Sequence, residues 1–168
     1  MILRVADEYP EDLAARIGFL LARAHLVARE KADRALGGFG LTAKGYAALA
    51  TVVSEAPISQ QKLSRRLRMD PATMVDVIDE LDRSGYVVRR RNPHDRREYA
   101  LSTTSSGRAL FSRARRALNA AERETTSDLD TDETRTLREL LGRIARKPGS
   151  LTTSEMEKNA LGRSRRDI

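Results

Sequence analysis

The sequence predicts a mainly α-helical chain with a small two-stranded β wing, and three observations carry that expectation. Residues 59–104 run SQQKLSRRLRMDPATMVDVIDELDRSGYVVRRRNPHDRREYALSTT, which parses as a short helix, a tight turn, a second helix and an arginine-rich hairpin. Apolar residues recur at helical spacing both before and after this stretch. Pro10, Gly37-Gly38, Pro57, Asn92-Pro93 and Pro148-Gly149 stand where elements should begin or end.

From Pro10 a helix is expected, with Glu11 and Asp12 in its first turn and Leu13, Ile17, Leu20, Leu21, Ala24 and Ala28 along one face. Gly37-Gly38 and Gly40 end it. Thr42 suits the cap of a second helix whose apolar face holds Tyr46, Leu49, Ala50 and Val53, and Pro57 stops that helix. Ser59 can cap a third, in which Leu63 and Leu67 fall four residues apart while Gln61, Lys62, Arg65, Arg66 and Arg68 occupy the other side. Asp70 is a natural cap, and Pro71 suits the first helical position because its missing N–H costs nothing there.

In the helix that follows, Met74, Val77, Ile78 and Leu81 form the core stripe. Geometry then leaves Ala72, Thr73 and Asp76 facing outward at the N-terminal end, flanked by Pro71 and Val75. These side chains are small enough for the helix to lie deep in a DNA groove. They offer apolar contact to thymine methyls, a Thr hydroxyl, and a carboxylate able to accept from cytosine N4. Asp76 could equally balance a nearby arginine or stand in water.

Ser84-Gly85 close this helix, and residues 86–91 and 98–103 read as two strands broken by Asn92-Pro93. Six arginines, at 83, 89, 90, 91, 96 and 97, face a single acid, Asp95, between positions 83 and 97. Such a ribbon suits phosphate or a narrow minor groove. The whole is the order of a winged helix-turn-helix.

A long Ala- and Arg-rich helix is expected from Thr104 to about Leu129, with Leu110, Phe111, Ala114, Ala117, Leu118 and Ala121 on its apolar side. Asp130 to Glu133 should open another, striped by Leu137, Leu140, Leu141 and Ile144. A reading head of this size does not cover these stripes, so a second copy is inferred. The expected organisation is an N-terminal dimerisation helix in residues 1–36, a winged helix-turn-helix DNA-binding region in 41–104, C-terminal dimerisation helices in 105–147 and a flexible basic tail in 148–168.

The composition narrows the function. With 31 Lys and Arg against 24 Asp and Glu, the chain of 168 residues carries a formal charge of +7, which favours an acidic polymer as partner. It has no cysteine, which excludes disulfides, thiolate metal sites and thiol redox sensing. No apolar run approaches a membrane span and no signal-peptide core is evident, so a cytoplasmic address is expected. No nucleophile, base and orienter assemble, and Gly37-Gly38-Phe39-Gly40 reads as a helix stop rather than a phosphate cradle. No enzyme, metal or cofactor is expected.

The motifs LTAKGYAAL, LSRRLRMDPATMVDVIDELDRSGYVVRR and NPHDRREYALSTTSSGRAL together resemble the MarR family of transcriptional regulators, from about Asp12 to Lys147. Of the family's wing pattern, Asp95, Arg97 and Thr104 fit, while Thr103 stands where a leucine is usual. The resemblance implies a homodimer whose first and last two helices intertwine, reading a pseudo-palindrome on double-stranded DNA. It also suggests repression, relieved by a small phenolic or anionic effector bound between head and dimerisation region. It implies that Arg97 enters the minor groove while Asp95 braces the wing's basic side chains.

The expected DNA contacts are therefore Ser59, Gln60, Gln61, Arg65, Pro71, Ala72, Thr73, Val75, Asp76, Arg91, His94, Asp95, Arg96 and Arg97. His94, at the wing tip, reads as an exposed or phosphate-touching side chain rather than a metal ligand. His25 and Tyr46 are candidates for lining an effector pocket, against the plainer reading of both as packing residues. A non-specific architectural DNA binder is the alternative, kept open because no Arg or Lys lies in the first turn of the recognition helix.

Overall fold

Four side-chain oxygens set the starts of four helices. Thr42 Oγ1 accepts from Gly45 N at 3.0 Å, Ser59 Oγ from Lys62 N at 3.2 Å, Asp70 Oδ1 from Thr73 N at 2.9 Å and Thr104 Oγ1 from Gly107 N at 3.0 Å. Each satisfies an amide that the helix itself leaves unpaired. In the computed structural model, which describes residues 8–91 and 99–145, the elements run α1 (Glu11–Ala14), α2 (Ile17–Gly37), α3 (Ala43–Glu55), β1 (Ile58–Ser59), α4 (Gln60–Leu67), α5 (Pro71–Arg83), β2 (Val87–Arg91), β3 (Tyr99–Thr103), α6 (Ser105–Thr125) and α7 (Thr131–Ala145). The mainly helical class with a small β wing is as expected.

Three details differ from the sequence reading. The N-terminal helix is broken: Arg16 is extended between α1 and α2, where Ile17-Gly18 is a poor pair for helix continuation. The bend brings Tyr9 edge-on to Phe19 at 4.9 Å between ring centroids, with Arg23 5.1 Å from the Tyr9 ring. The sheet has three strands rather than two, in the order β1-β3-β2 and all antiparallel, with Ile58 opposite Leu101 and Arg89 opposite Leu101 on the other side. The long helix stops at Thr125, where the hydroxyls of Thr125 and Thr126 donate back to the carbonyls of Ala121 and Glu122. A turn follows to α7, whose start is a reciprocal cap. Asp130 Oδ1 accepts from the amides of Asp132 and Glu133 at 2.8 Å each, and Glu133 Oε2 accepts from Asp130 N at 2.9 Å.

The core sits inside the head. Leu36, Leu49, Val52, Ile58, Leu63, Met74, Ile78, Val87 and Leu101 are essentially sealed from solvent. They come from α2, α3, β1, α4, α5, β2 and β3, so nearly every element of the head contributes at least one. Helix α6 joins through Leu110 and Ala114 and packs along α2. Its N-terminus is pressed onto the turn that precedes the wing: a Cβ on Gly107 would lie 2.0 Å from the Tyr86 carbonyl oxygen. Thr104 Oγ1 and Ser106 Oγ lie 2.7 and 2.9 Å from the Gly85 carbonyl oxygen. Gly85 itself has φ +72, a left-handed conformation that glycine adopts without penalty.

The expected apolar stripes at both ends face solvent. Leu13, Ile17, Leu20 and Ala24 on α1 and α2, and Leu137, Leu140, Leu141 and Ile144 on α7, are exposed in the single chain, as is Val27 beside them, while Leu21 and Ala28 of the expected stripe are half-buried. Among the described residues no helix is long and apolar enough to cross a membrane.

Candidate nucleic-acid interface

Helices α4 and α5 are joined by a turn locked from within. Ser64, buried on α4, donates its hydroxyl to the Met69 carbonyl at 2.6 Å, while Met69 N donates to the Ser64 carbonyl at 3.1 Å. Arg68 takes the left-handed conformation at φ 51 that lets the chain reverse. With the turn fixed in this way and Met74, Val77, Ile78 and Leu81 buried on α5, the helix has one choice of outward face.

Pro71, Ala72, Val75 and Asp76 are exposed on that face, and Thr73 is half-buried. Val75 stands 41% exposed, an aliphatic side chain presented to solvent in the N-terminal half of the helix. On α4, Gln61 and Arg65 are exposed, while Ser59 and Gln60 are half-buried at its start. Arg66 is not free, because its Nε donates to Glu55 at 3.0 Å.

The wing strands divide the arginines. Arg90 is exposed, whereas Arg89 is folded back onto α5, donating from Nη2 to Asp79 and lying 3.6 Å from Asp82 through Nη1. Arg91 pairs with Tyr99 in the backbone register. His94, Asp95, Arg96 and Arg97 lie outside the described residues. Treating all six arginines as one positive surface missed the role of Arg89, and the signal was present: Asp79 and Asp82, three apart, share a helix face.

The two candidate effector residues stand on different helices, His25 on α2 and Tyr46 on α3. His25 is exposed on α2. Tyr46 is half-buried and stacks on Phe111, with centroids 5.7 Å apart and planes 25° from parallel, and the Arg115 guanidinium lies 5.6 Å from the Phe111 ring. Burial raises the Tyr46 phenol above its ordinary pKa, and Arg115 opposes this. One cavity of about 20 Å³ lies between Leu41, Gly45, Leu81 and Tyr86, and an open one of about 480 Å³ lies at the α6–α7 turn beside Arg123, Arg135 and Arg138. Tyr46 and His25 line neither. Among the described residues no His, Cys, Asp and Glu cluster could hold a metal ion.

This arrangement has known counterparts. The family model described as "MarR family" matches residues 41–99, which span α3 to the start of β3. A Thauera aromatica protein named for transcriptional regulation of the hcr operon is 30% identical over 135 residues, covering 80% of this chain and 81% of its own. The chain belongs to the MarR family. A MarR-family transcriptional regulator from Rhodococcus sp. RHA1 superposes with a TM-score of 0.71 at 29% identity, over 77% of this chain and 92% of that one. The transcriptional repressor CouR, bound to a 23-mer DNA duplex, gives 0.77 at 28% identity, over 82% and 98%. CouR from Rhodococcus jostii RHA1 bound to p-coumaroyl-CoA gives 0.72 at 29%, over 84% and 99%. This MarR-family chain is accordingly a DNA-binding transcriptional regulator and not an enzyme.

Proposed function

We propose that this MarR-family regulator acts in the cytoplasm as a homodimeric repressor of a pseudo-palindromic operator. Residues 41–104 of each copy read one half-site, and residues 1–36 and 105–147 hold the two copies together. The exposed N-terminal face of α5 carries the reading. Pro71, Ala72, Thr73, Val75 and Asp76 enter the major groove, supported on the flanking backbone by Ser59, Gln60, Gln61 and Arg65. Arg91, His94, Asp95, Arg96 and Arg97 address the adjacent minor groove and its phosphates, a placement that rests on the family's wing pattern.

The observation that favours this reading is a recognition helix whose buried stripe leaves small side chains, Asp76 the one charged among them, outermost where a groove would receive them. A relative named for the regulation of one operon, and a repressor similar in fold bound to a DNA duplex, favour it over the architectural alternative. A binding selection on randomised duplex DNA at low and near-physiological salt tests it. Enrichment of an inverted repeat that survives the higher salt is expected, with half-site centres about 34 Å apart. Binding with no enriched sequence that collapses as salt rises would instead fit an architectural protein.

An effector fits the same scheme. Tyr46 and Phe111 present stacked rings beside the Arg115 cation at the junction of α3 and α6, which suits an aromatic anion by stacking and charge. Arg115→Ala is expected to weaken release of the operator by such a ligand while leaving DNA affinity intact. Titration of preformed complex with aromatic carboxylates checks it.

A further inference from the structure

Helix α5 is acidic. From Pro71 to Arg83 it carries Asp76, Asp79, Glu80 and Asp82 against Arg83 alone, an unfavourable charge for an element that must approach phosphates. Two of those four carboxylates meet one guanidinium. Arg89 of β2 directs Nη2 to Asp79 and Nη1 to Asp82, the latter at 3.6 Å, with its side chain only 28% exposed. The backbone of Arg89 is opposite Leu101, which is fully buried in the middle strand of the sheet. The cation is thus anchored at both ends, in the sheet and on the helix.

The geometry points to Arg89 as a positioning residue: it sets the angle between wing and recognition helix and cancels the helix's inner acids, and it does not touch DNA itself. This rests on the DNA-reading role proposed above and assigns a division of labour within it. A planar guanidinium can engage two carboxylates through separate nitrogens, which a lysine ammonium reproduces poorly. Because both carboxylates are more than a third exposed, the pair contributes little to overall stability. Its value lies in orientation and local charge.

The test uses the full-length protein and a duplex enriched by the selection above, with affinity measured across salt concentration. R89Q is expected to bind roughly 10-fold more weakly, the size of effect seen for coupled neighbours, with its salt slope unchanged. Replacing both acids as well, in R89Q/D79N/D82N, is expected to recover most of that loss. R89K keeps the charge and the aliphatic stem, so it stays folded even if R89Q does not. It is expected to bind several-fold more weakly than the unmodified protein, because a point charge cannot hold both acids.

A slope lowered by roughly 1 in R89Q would mark a lost phosphate contact and overturn the assignment. So would a triple variant no better than R89Q, or an R89K protein of unmodified affinity. If the unmodified protein shows no salt-dependent duplex binding, the DNA-reading proposal falls first and takes this role with it. The unmodified control therefore separates the two failures.

Discussion

Tyr46 shows how one side chain can report on packing that the sequence only hinted at. Its phenol is pushed up by burial against α6, with the Arg115 charge acting the other way. A raised folded-state value means that the folded protein holds this proton more tightly than the unfolded chain does. Any linked contribution to stability is therefore constant below about pH 10, the ordinary tyrosine value, and is lost as pH rises beyond it. Among four tyrosines, one is expected to ionise late in an alkaline absorbance titration, and Tyr46→Phe should abolish that late step. A titration in which Tyr46→Phe removes an ordinary step instead would place the ring in open solvent. At the wing, Arg97→Ala should weaken operator binding and reduce the salt slope by roughly 1 if a single phosphate contact is lost. An unchanged slope and affinity would remove Arg97 from the interface.

At the scale of elements, the joints carry more specific chemistry than the helices they connect. Ser64→Ala leaves the Met69 carbonyl without its side-chain donor inside the head. It should cost about 1–2 kcal/mol in a urea melt, the range for removing one partner of a buried hydrogen bond. Gly107→Ala is harsher, because the new methyl meets backbone rather than a movable side chain. A loss of about 1–3 kcal/mol is expected, and a melt unchanged from the unmodified protein would show that α6 can slide from the wing. These joints also show what could be read in advance. Helix starts at Thr42, Ser59 and Asp70 were legible because capping is local chemistry written within four residues, while the start at Thr104 was read from the Ala- and Arg-rich run that follows it. Strand β1 was not, since two residues have no periodicity and Ile58 pairs with Leu101 only after the chain has folded. The break at Arg16 was obscured by an apolar spacing that continues across it. In the candidate interface, the outward face of α5 followed from its buried stripe, whereas the pairing of Arg89 with Asp79 and Asp82 is tertiary: the spacing of the two acids puts them on one face, but a count of charges does not say which arginine meets them.

For the whole molecule the decisive feature is apolar surface without a partner. Leu13, Ile17, Leu20, Ala24 and Val27 alternate at spacings of four and three along α1 and α2, the seam expected of helices that pack side by side. All five are exposed in the single chain, and Ile17 is 70% exposed. Helix α7 offers a second such face. Leu140 and Ile144 lie four apart, are 46% and 52% exposed, and no residue within α7 is buried. Among the described residues little besides the pairing of Arg138 with Glu122 at 2.9 Å ties this helix to the rest of the chain, so a chain that folded alone would gain little from ordering α7. Full burial of a leucine or isoleucine is worth roughly 1.5–3 kcal/mol, and covering the part of each that is still exposed gains a fraction of that, so several together supply a drive for a second copy. The pair Ile17→Asp and Leu140→Asp is therefore expected to yield a monomer by sedimentation velocity while leaving the melting of the head nearly unchanged. Binding to a single half-site should persist in that monomer, but the gain from joining two half-sites in one operator should vanish, because it comes from making the second contact intramolecular. A double variant that remains dimeric would mean that other surfaces join the two copies. A monomer that keeps the affinity of the unmodified protein for the full operator would mean that the two heads bind independently.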